Sequence, residues 1–235
     1  MAMPNSSLTL RVLARLLSYP DADLRAHAGD MRQALAAEQA LPATRLQELQ
    51  ALLNTLERGD ALDIEAEYVH LFDRGRATSL HLFEHVHGDS RDRGPAMIDL
   101  AQNYEKAGLF LAPGELPDYL PVVLEFASTQ PPKEARAFLG ETVHILNAIF
   151  SALQQRQSAY ASVLGALIEL AGERAQSVKV TADEPLDQAW EEPQVFDGCS
   201  SKGQAKPGQP QPIHIVRKEN TSATPRGAAH EGAPT

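Results

Sequence analysis

Ionisable and apolar side chains are interleaved between residues 68 and 126, and four of the eight histidines fall there: His70, His81, His85 and His87. The stretch His81-Leu82-Phe83-Glu84-His85 has the H-x-x-E-H order of an inverted zinc-hydrolase motif. On a helix, His81 and His85 would share a face at i and i+4. They could then hold zinc, with Glu84 as base and His87 or Asp89 as further ligands. Against this, three fixed positions are weakly specific. Gly88 and the turn-forming Asp89-Ser90 also follow at once, so a long zinc-bearing helix has little room.

The next run, Asp89-Ser90-Arg91-Asp92-Arg93, admits two readings. Its acidic and hydroxyl side chains can cap a helix while the arginines are solvated. Alternatively, Arg91 and Arg93 pair with Glu84, Asp89 or Asp118 and fix the wall of a groove, or they face an anion. Downstream, Glu115-Leu116-Pro117-Asp118 has the form of a helix start, with Pro117 at the first helical position and Asp118 at the positive end of the dipole. No Gly-rich phosphate loop accompanies these residues. The lone Cys199 has no neighbouring base to activate it.

These residues need a scaffold, and the apolar periodicity supplies helices. Leu10, Leu13 and Leu17 repeat at helical spacing, with Ser6 or Ser7 as cap and Pro20 as stop. Asp21 caps a second helix through Leu24, Ala28, Met31 and Leu35; Pro42 opens a third with Leu46, Leu49, Leu53 and Leu56. Asp60 or Asp63 starts a fourth containing Ile64, Tyr68, Leu71 and Phe72. A long helix over about 90–107 carries Met97, Leu100, Ala101 and Tyr104, and Pro95 must lie in its first turn or kink it. A helix from Leu116 through Phe126 and two more near 132–155 and 157–172 complete the set. Strand-like alternation is confined to Val178–Val180 and Ile213–Val216. The expected fold is all-α: a single-domain helical bundle over residues 1–180, followed by a disordered, acidic, Pro- and Gly-rich tail over 181–235.

Composition narrows the function classes. The 235 residues hold 21 Lys and Arg against 31 Asp and Glu, a net charge of −10. Such a surface does not suit nucleic acid. A hydrophobic content of 43% is enough for a core. A single cysteine leaves no internal disulfide and suits a reducing cytoplasm. No apolar run approaches the ~20 residues that span a bilayer, and the N-terminus lacks the basic start of a secretory signal.

The chain resembles a known family at Tyr68 to Asp73, Ser79-Leu80 with Leu82 to Gly94, Ala96-Met97, Leu100, Tyr104 with Gly108, Glu115 to Pro121, and Leu124-Glu125-Phe126. The ungapped block from Phe83 to Gly94 is its most specific part. These stretches are similar to the NarJ-type nitrate reductase molybdenum cofactor assembly chaperones, the nitrate reductase delta subunit family, and the likeness extends over about residues 8–170. The resemblance implies an all-helical cytoplasmic chaperone that is not an enzyme and carries no cofactor of its own. It implies binding to the apo catalytic subunit of nitrate reductase, notably its N-terminal peptide, with support of molybdenum cofactor insertion and iron–sulfur maturation and a check on premature membrane docking. Molybdenum cofactor delivery proteins are further expected partners.

The residues expected to form the client groove are Leu80, Leu82, Phe83, Glu84, His85, Asp89, Arg91 and Arg93, with Tyr104, Glu115, Asp118 and Leu120 nearby. Apolar members would supply area to an amphipathic helix and charged members would orient it, with His85 or His87 titrating. Two readings compete: the zinc hydrolase using His81, Glu84 and His85, and a helical adaptor for another client.

Overall fold

A computed structural model describes residues 5–88 and 90–178. The expected tail and Asp89 therefore lie outside the described residues, as do Cys199, Val180 and Ile213–Val216. All described residues fall in one unit, Met1–Pro185. They form ten α-helices: α1 Ser7–Leu16, α2 Ala22–Ala26, α3 Ala28–Glu38, α4 Ala43–Arg58, α5 Ala61–Phe72, α6 Leu82–Val86, α7 Arg93–Lys106, α8 Leu120–Thr129, α9 Pro132–Gln155 and α10 Ala161–Leu170. A 3-10 turn covers Arg76–Thr78. Pairing between strands is limited to one antiparallel bridge, His81 with Tyr119, among the described residues.

The helices start where side chains satisfy free backbone amides. The Asp21 carboxylate accepts from the Leu24 amide at the start of α2, and Asp60 accepts from Leu62 and Asp63 at the start of α5. Pro95 lies in the first turn of α7, where its missing N–H leaves no intrahelical bond unmade. Two expected boundaries differ. The helix expected from Asp21 onward breaks at His27, whose Nδ1 donates to the Asp23 carbonyl across the C-terminus of α2. The helix expected at Leu116 begins only at Leu120, with Pro121 in its first turn; Pro117 and Asp118 are held outside it by the bridge to residues 80–82.

α10 is the hub of the core. Residues Ser162–Ile168 are buried on every side of it, as expected of a helix apolar all round, and it packs on α9, α4 and α1. Gly165 permits the closest approach. A Cβ there would lie 2.5 Å from Cζ of Arg45, whose guanidinium is held over the helix by Glu169 at 2.8 Å. α1 buries Leu10, Leu13 and Leu16 against α8, α3 and α10, and the hydroxyl of Ser7 donates to the Ser128 carbonyl at the end of α8. α7 is the exception. Of its 14 residues only Tyr104 is buried.

Leu13 is fully buried between these helices. Leu13→Ala is expected to lower unfolding free energy by about 2–5 kcal/mol, read as a shift in the urea midpoint at unchanged slope.

Candidate functional site

The bridge between residues 80–82 and 118–120 organises the informative segment. The Leu82 amide donates to the Asp118 carbonyl at 3.0 Å, and the Leu120 amide donates to the Leu80 carbonyl at 2.8 Å. Asp118 is fully buried. One carboxylate oxygen, Oδ2, accepts from the Phe83 amide at 3.1 Å, so Asp118 caps α6 rather than the helix that follows it in sequence. The other, Oδ1, faces His81 Nδ1 at 3.4 Å, while Arg93 lies 3.9 Å from Oδ2. Arg93 also reaches Glu84 at 3.4 Å, and the second oxygen of Glu84 accepts from the Ser79 hydroxyl at 2.5 Å. His85 Nε2 donates to the Ser79 carbonyl at 2.9 Å. Residues 80–83 and Arg93 are thus tied to residues 118–120, while Glu84 and His85 fold back onto Ser79.

The expected site residues do not line a single groove. Leu80, Leu82 and Leu120 are buried core residues, and their area is already spent inside the protein. Leu80 and Glu84 also border a mainly polar cavity of about 320 Å³, with Tyr68, Asp73, Arg74, Arg76, His81 and Tyr119. Tyr104 and Glu115 belong instead to an apolar cavity of about 410 Å³, together with Leu109, Phe110, Leu111, Val122 and Phe126. Phe83 packs edge-on against His87 at 5.4 Å between centroids. Arg91 is exposed, and no ion pair to it occurs among the described residues; of the two arginines, only Arg93 joins the acidic cluster.

The zinc reading fails on backbone geometry. His81 precedes α6 in an extended conformation, so it does not share a helical face with His85, and each ring nitrogen named above already faces an oxygen of the fold. Among the described residues no group of three or more His, Cys, Asp or Glu side chains is placed to hold a metal ion.

The apolar cavity was only partly legible. Its floor includes Tyr104 and Phe126, with ring centroids 4.7 Å apart, and Phe138 packs against Phe126 at 5.2 Å. The Tyr104 hydroxyl donates to the Pro117 carbonyl at 2.8 Å, and burial pushes this phenol upward from its usual pKa. Phe110 stands 80% exposed at the rim. Arg11 closes one side, its Nε donating to the Ser128 hydroxyl at 3.2 Å, while Glu115 and Glu125 give the rim an acidic edge. Sequence reasoning did not assign Leu109-Phe110-Leu111 to the site. Their signal was an apolar triplet between Gly108 and Pro113-Gly114, too short and too turn-bound to be a core helix. Gly108 adopts φ of +81°, which turns the chain from α7 into this triplet.

The described residues thus form an all-helical body with an open apolar groove and an acidic rim, a shape suited to binding. The comparisons make the class specific. The nitrate reductase delta subunit family matches residues 21–165, and the chain belongs to that family. It is 46% identical over 198 residues to the nitrate reductase molybdenum cofactor assembly chaperone NarJ of Escherichia coli, covering 80% of this chain and 84% of that one. It is 32% identical over 164 residues to a "probable" chaperone of the same designation from Bacillus subtilis, covering 68% and 86%. A crystal structure of a candidate redox enzyme maturation protein from Archaeoglobus fulgidus superposes with a TM-score of 0.50 at 21% identity, over 71% of this chain and 94% of that one, and so shares the fold. The family is one of assembly chaperones, not of enzymes. No helix among the described residues is long and apolar enough to cross a membrane.

The hydrogen bond to Asp118, reinforced by the charges of Asp118 and Glu84, raises the His81 pKa above its usual value, against the opposing effects of burial and Arg93. Folding therefore favours the protonated ring. Its stabilisation is complete below the unfolded value of about 6.5 and is lost as pH rises through the folded value. Urea midpoints are expected to fall between about pH 6 and 8, and to fall less in His81→Gln.

Proposed function

We propose that this chain is a dedicated cytoplasmic chaperone for the catalytic subunit of a respiratory nitrate reductase. It binds the unfinished subunit, chiefly through that subunit's N-terminal segment, and holds it competent for molybdenum cofactor insertion before membrane docking. The observation that carries this reading is the apolar groove around Tyr104, Phe110 and Phe126, on a chain of the delta subunit family. A space of about 410 Å³ takes a few side chains, not a folded domain. That is the scale on which one amphipathic helix inserts its anchors at i, i+3 or i+4 and i+7.

Charge then selects the occupant. Glu115 and Glu125 favour a segment with basic residues beside its apolar stripe, and the net charge of −10 favours its approach. In this reading Glu115 meets the client at the rim, and the buried Tyr104, bonded to Pro117, holds the floor in place. Leu80, Leu82, Phe83, Glu84, His85, Arg93, Asp118 and Leu120 form the framework that places the groove. A chaperone of this kind needs only to bind the apo client more tightly than the finished enzyme. Molybdenum cofactor delivery proteins are the partners expected to meet the client while it is held.

Two measurements test this. Affinity capture from cells respiring nitrate, followed by mass spectrometry, is expected to recover the nitrate reductase catalytic subunit; recovery of a different client alone would favour the adaptor reading. In calorimetric titration with a synthetic peptide of the subunit's first ~20 residues, about 30 Å as a helix, Phe110→Ala is expected to weaken binding at least tenfold. Phe110 is exposed, so its truncation leaves the core intact. Undiminished binding would move the client away from this groove.

A further inference from the structure

α7 is anchored unlike any other helix of its length in this protein. It contributes one buried side chain in 14 residues, its N-terminus has no side-chain cap, and Met97, Leu100 and Ala101 are only half-buried while Ile98 is 59% exposed. Helices in proteins owe most of their stability to a packed face, and this one has little. Its attachments lie at its two ends. At the N-terminal end Arg93 pairs with Glu84 and lies beside Asp118. At the C-terminal end the Tyr104 hydroxyl is bonded to the carbonyl of Pro117. Both ends are therefore held by two consecutive residues, 117 and 118, and Asp118 is itself fixed by capping α6. Beyond Tyr104 the chain turns at Gly108 and again at Gly114, both at positive φ, with Leu109-Phe110-Leu111 between them.

We propose that α7 and residues 107–114 form a clasp that closes over the bound client helix, and that Arg93 and Tyr104 are the positioning residues that hold it. The inference rests on the groove assigned above and concerns how that groove retains its occupant. In the free protein the clasp is a weakly packed helix that reaches an open groove through Tyr104 and the following Leu109-Phe110-Leu111. Bound client offers Met97, Ile98, Leu100 and Phe110 an apolar surface, and α7 settles onto it. The two anchors limit the movement to a rotation of α7 about its ends. They act after encounter, so they govern how fast the client leaves rather than how fast it arrives.

The test uses the full chain and the same ~20-residue synthetic client peptide. Hydrogen exchange is expected to slow across residues 93–106 when the peptide binds, beyond any change in α9 or α10. Stopped-flow or surface binding is expected to show dissociation three- to tenfold faster for Arg93→Gln and for Tyr104→Phe, the range for one lost hydrogen bond, with association within about twofold of the parent. Arg93→Lys is expected to restore slow dissociation, because the distances to Glu84 and Asp118 call for a positive charge rather than a bidentate fork. A variant that merely misfolds would bind less peptide at an unchanged dissociation rate, and that outcome overturns the positioning role. Peptide binding that is sensitive to Phe110→Ala but leaves exchange in α7 unaltered overturns the clasp and leaves the groove standing. Absence of peptide binding overturns both.

Discussion

A carboxylate fully removed from water is costly unless each oxygen finds a donor or a positive neighbour, and Asp118 is the place where this chain accepts that cost. Its partners come from three separate positions: the Phe83 amide, the His81 ring and the Arg93 guanidinium. Each is satisfied only if residues 79–93 lie against residues 117–120 in one register. The two bridge hydrogen bonds, Leu82 to Asp118 and Leu120 to Leu80, fix that register with backbone alone. The charge makes alternatives expensive, since a slipped register would leave Asp118 buried without its donors. The interaction is valuable for specifying one arrangement more than for its net contribution to stability.

This constraint places the groove without forming its surface. Pro117, next to Asp118, receives the Tyr104 hydroxyl, and Tyr119, on the other side, borders the polar cavity and lies 3.3 Å from the Tyr68 hydroxyl. Three consecutive residues thus reach the apolar groove, the buried ion cluster and the polar cavity in turn. The groove's own surface comes from elements that the cluster only locates: the aromatic face of α8, the end of α7 and the exposed triplet at 109–111. Separating placement from surface lets the groove stay open and largely apolar while the charges of Asp118, Glu84 and Arg93 are paired outside its lining.

Local relationships were legible in the sequence, and distant ones mostly were not, the expected pairing of Arg93 with Glu84 and Asp118 being the exception. Asp21 and Asp60 sit two or three residues from the amides they accept from, so capping could be read from spacing alone. The leucine periodicity of α1, α4 and α9 is likewise local, and it led to the all-helical fold. Asp118 read as a dipole partner in the first turn of its own helix because nothing in residues 115–121 reveals an amide 35 positions earlier. Leu80, Leu82 and Leu120 carried the family pattern strongly, yet burial and recognition leave the same apolar signature in a sequence. Phe110 at the cavity rim drew no assignment for the converse reason: an apolar residue in a turn-rich stretch has no periodicity to mark it. Resemblance marked the segment, and only the packed structure separated its buried residues from those that line an open cavity.

A chaperone that must later release its client cannot bind through a surface as tightly made as its core. The described residues meet this demand by contrast within one body. α10 is buried on every side and cannot move without breaking the core, whereas α7 keeps one side chain inside and the rest near water. A helix so placed can change its position at small cost, and a client that stabilises one position shifts its population only by the difference in affinity between the two. Under the proposed function, a finished enzyme with its N-terminal segment packed elsewhere would no longer offer the apolar stripe that favours the closed position. Release would then need no energy input to the chaperone: completion of the client would withdraw the term that held the two together.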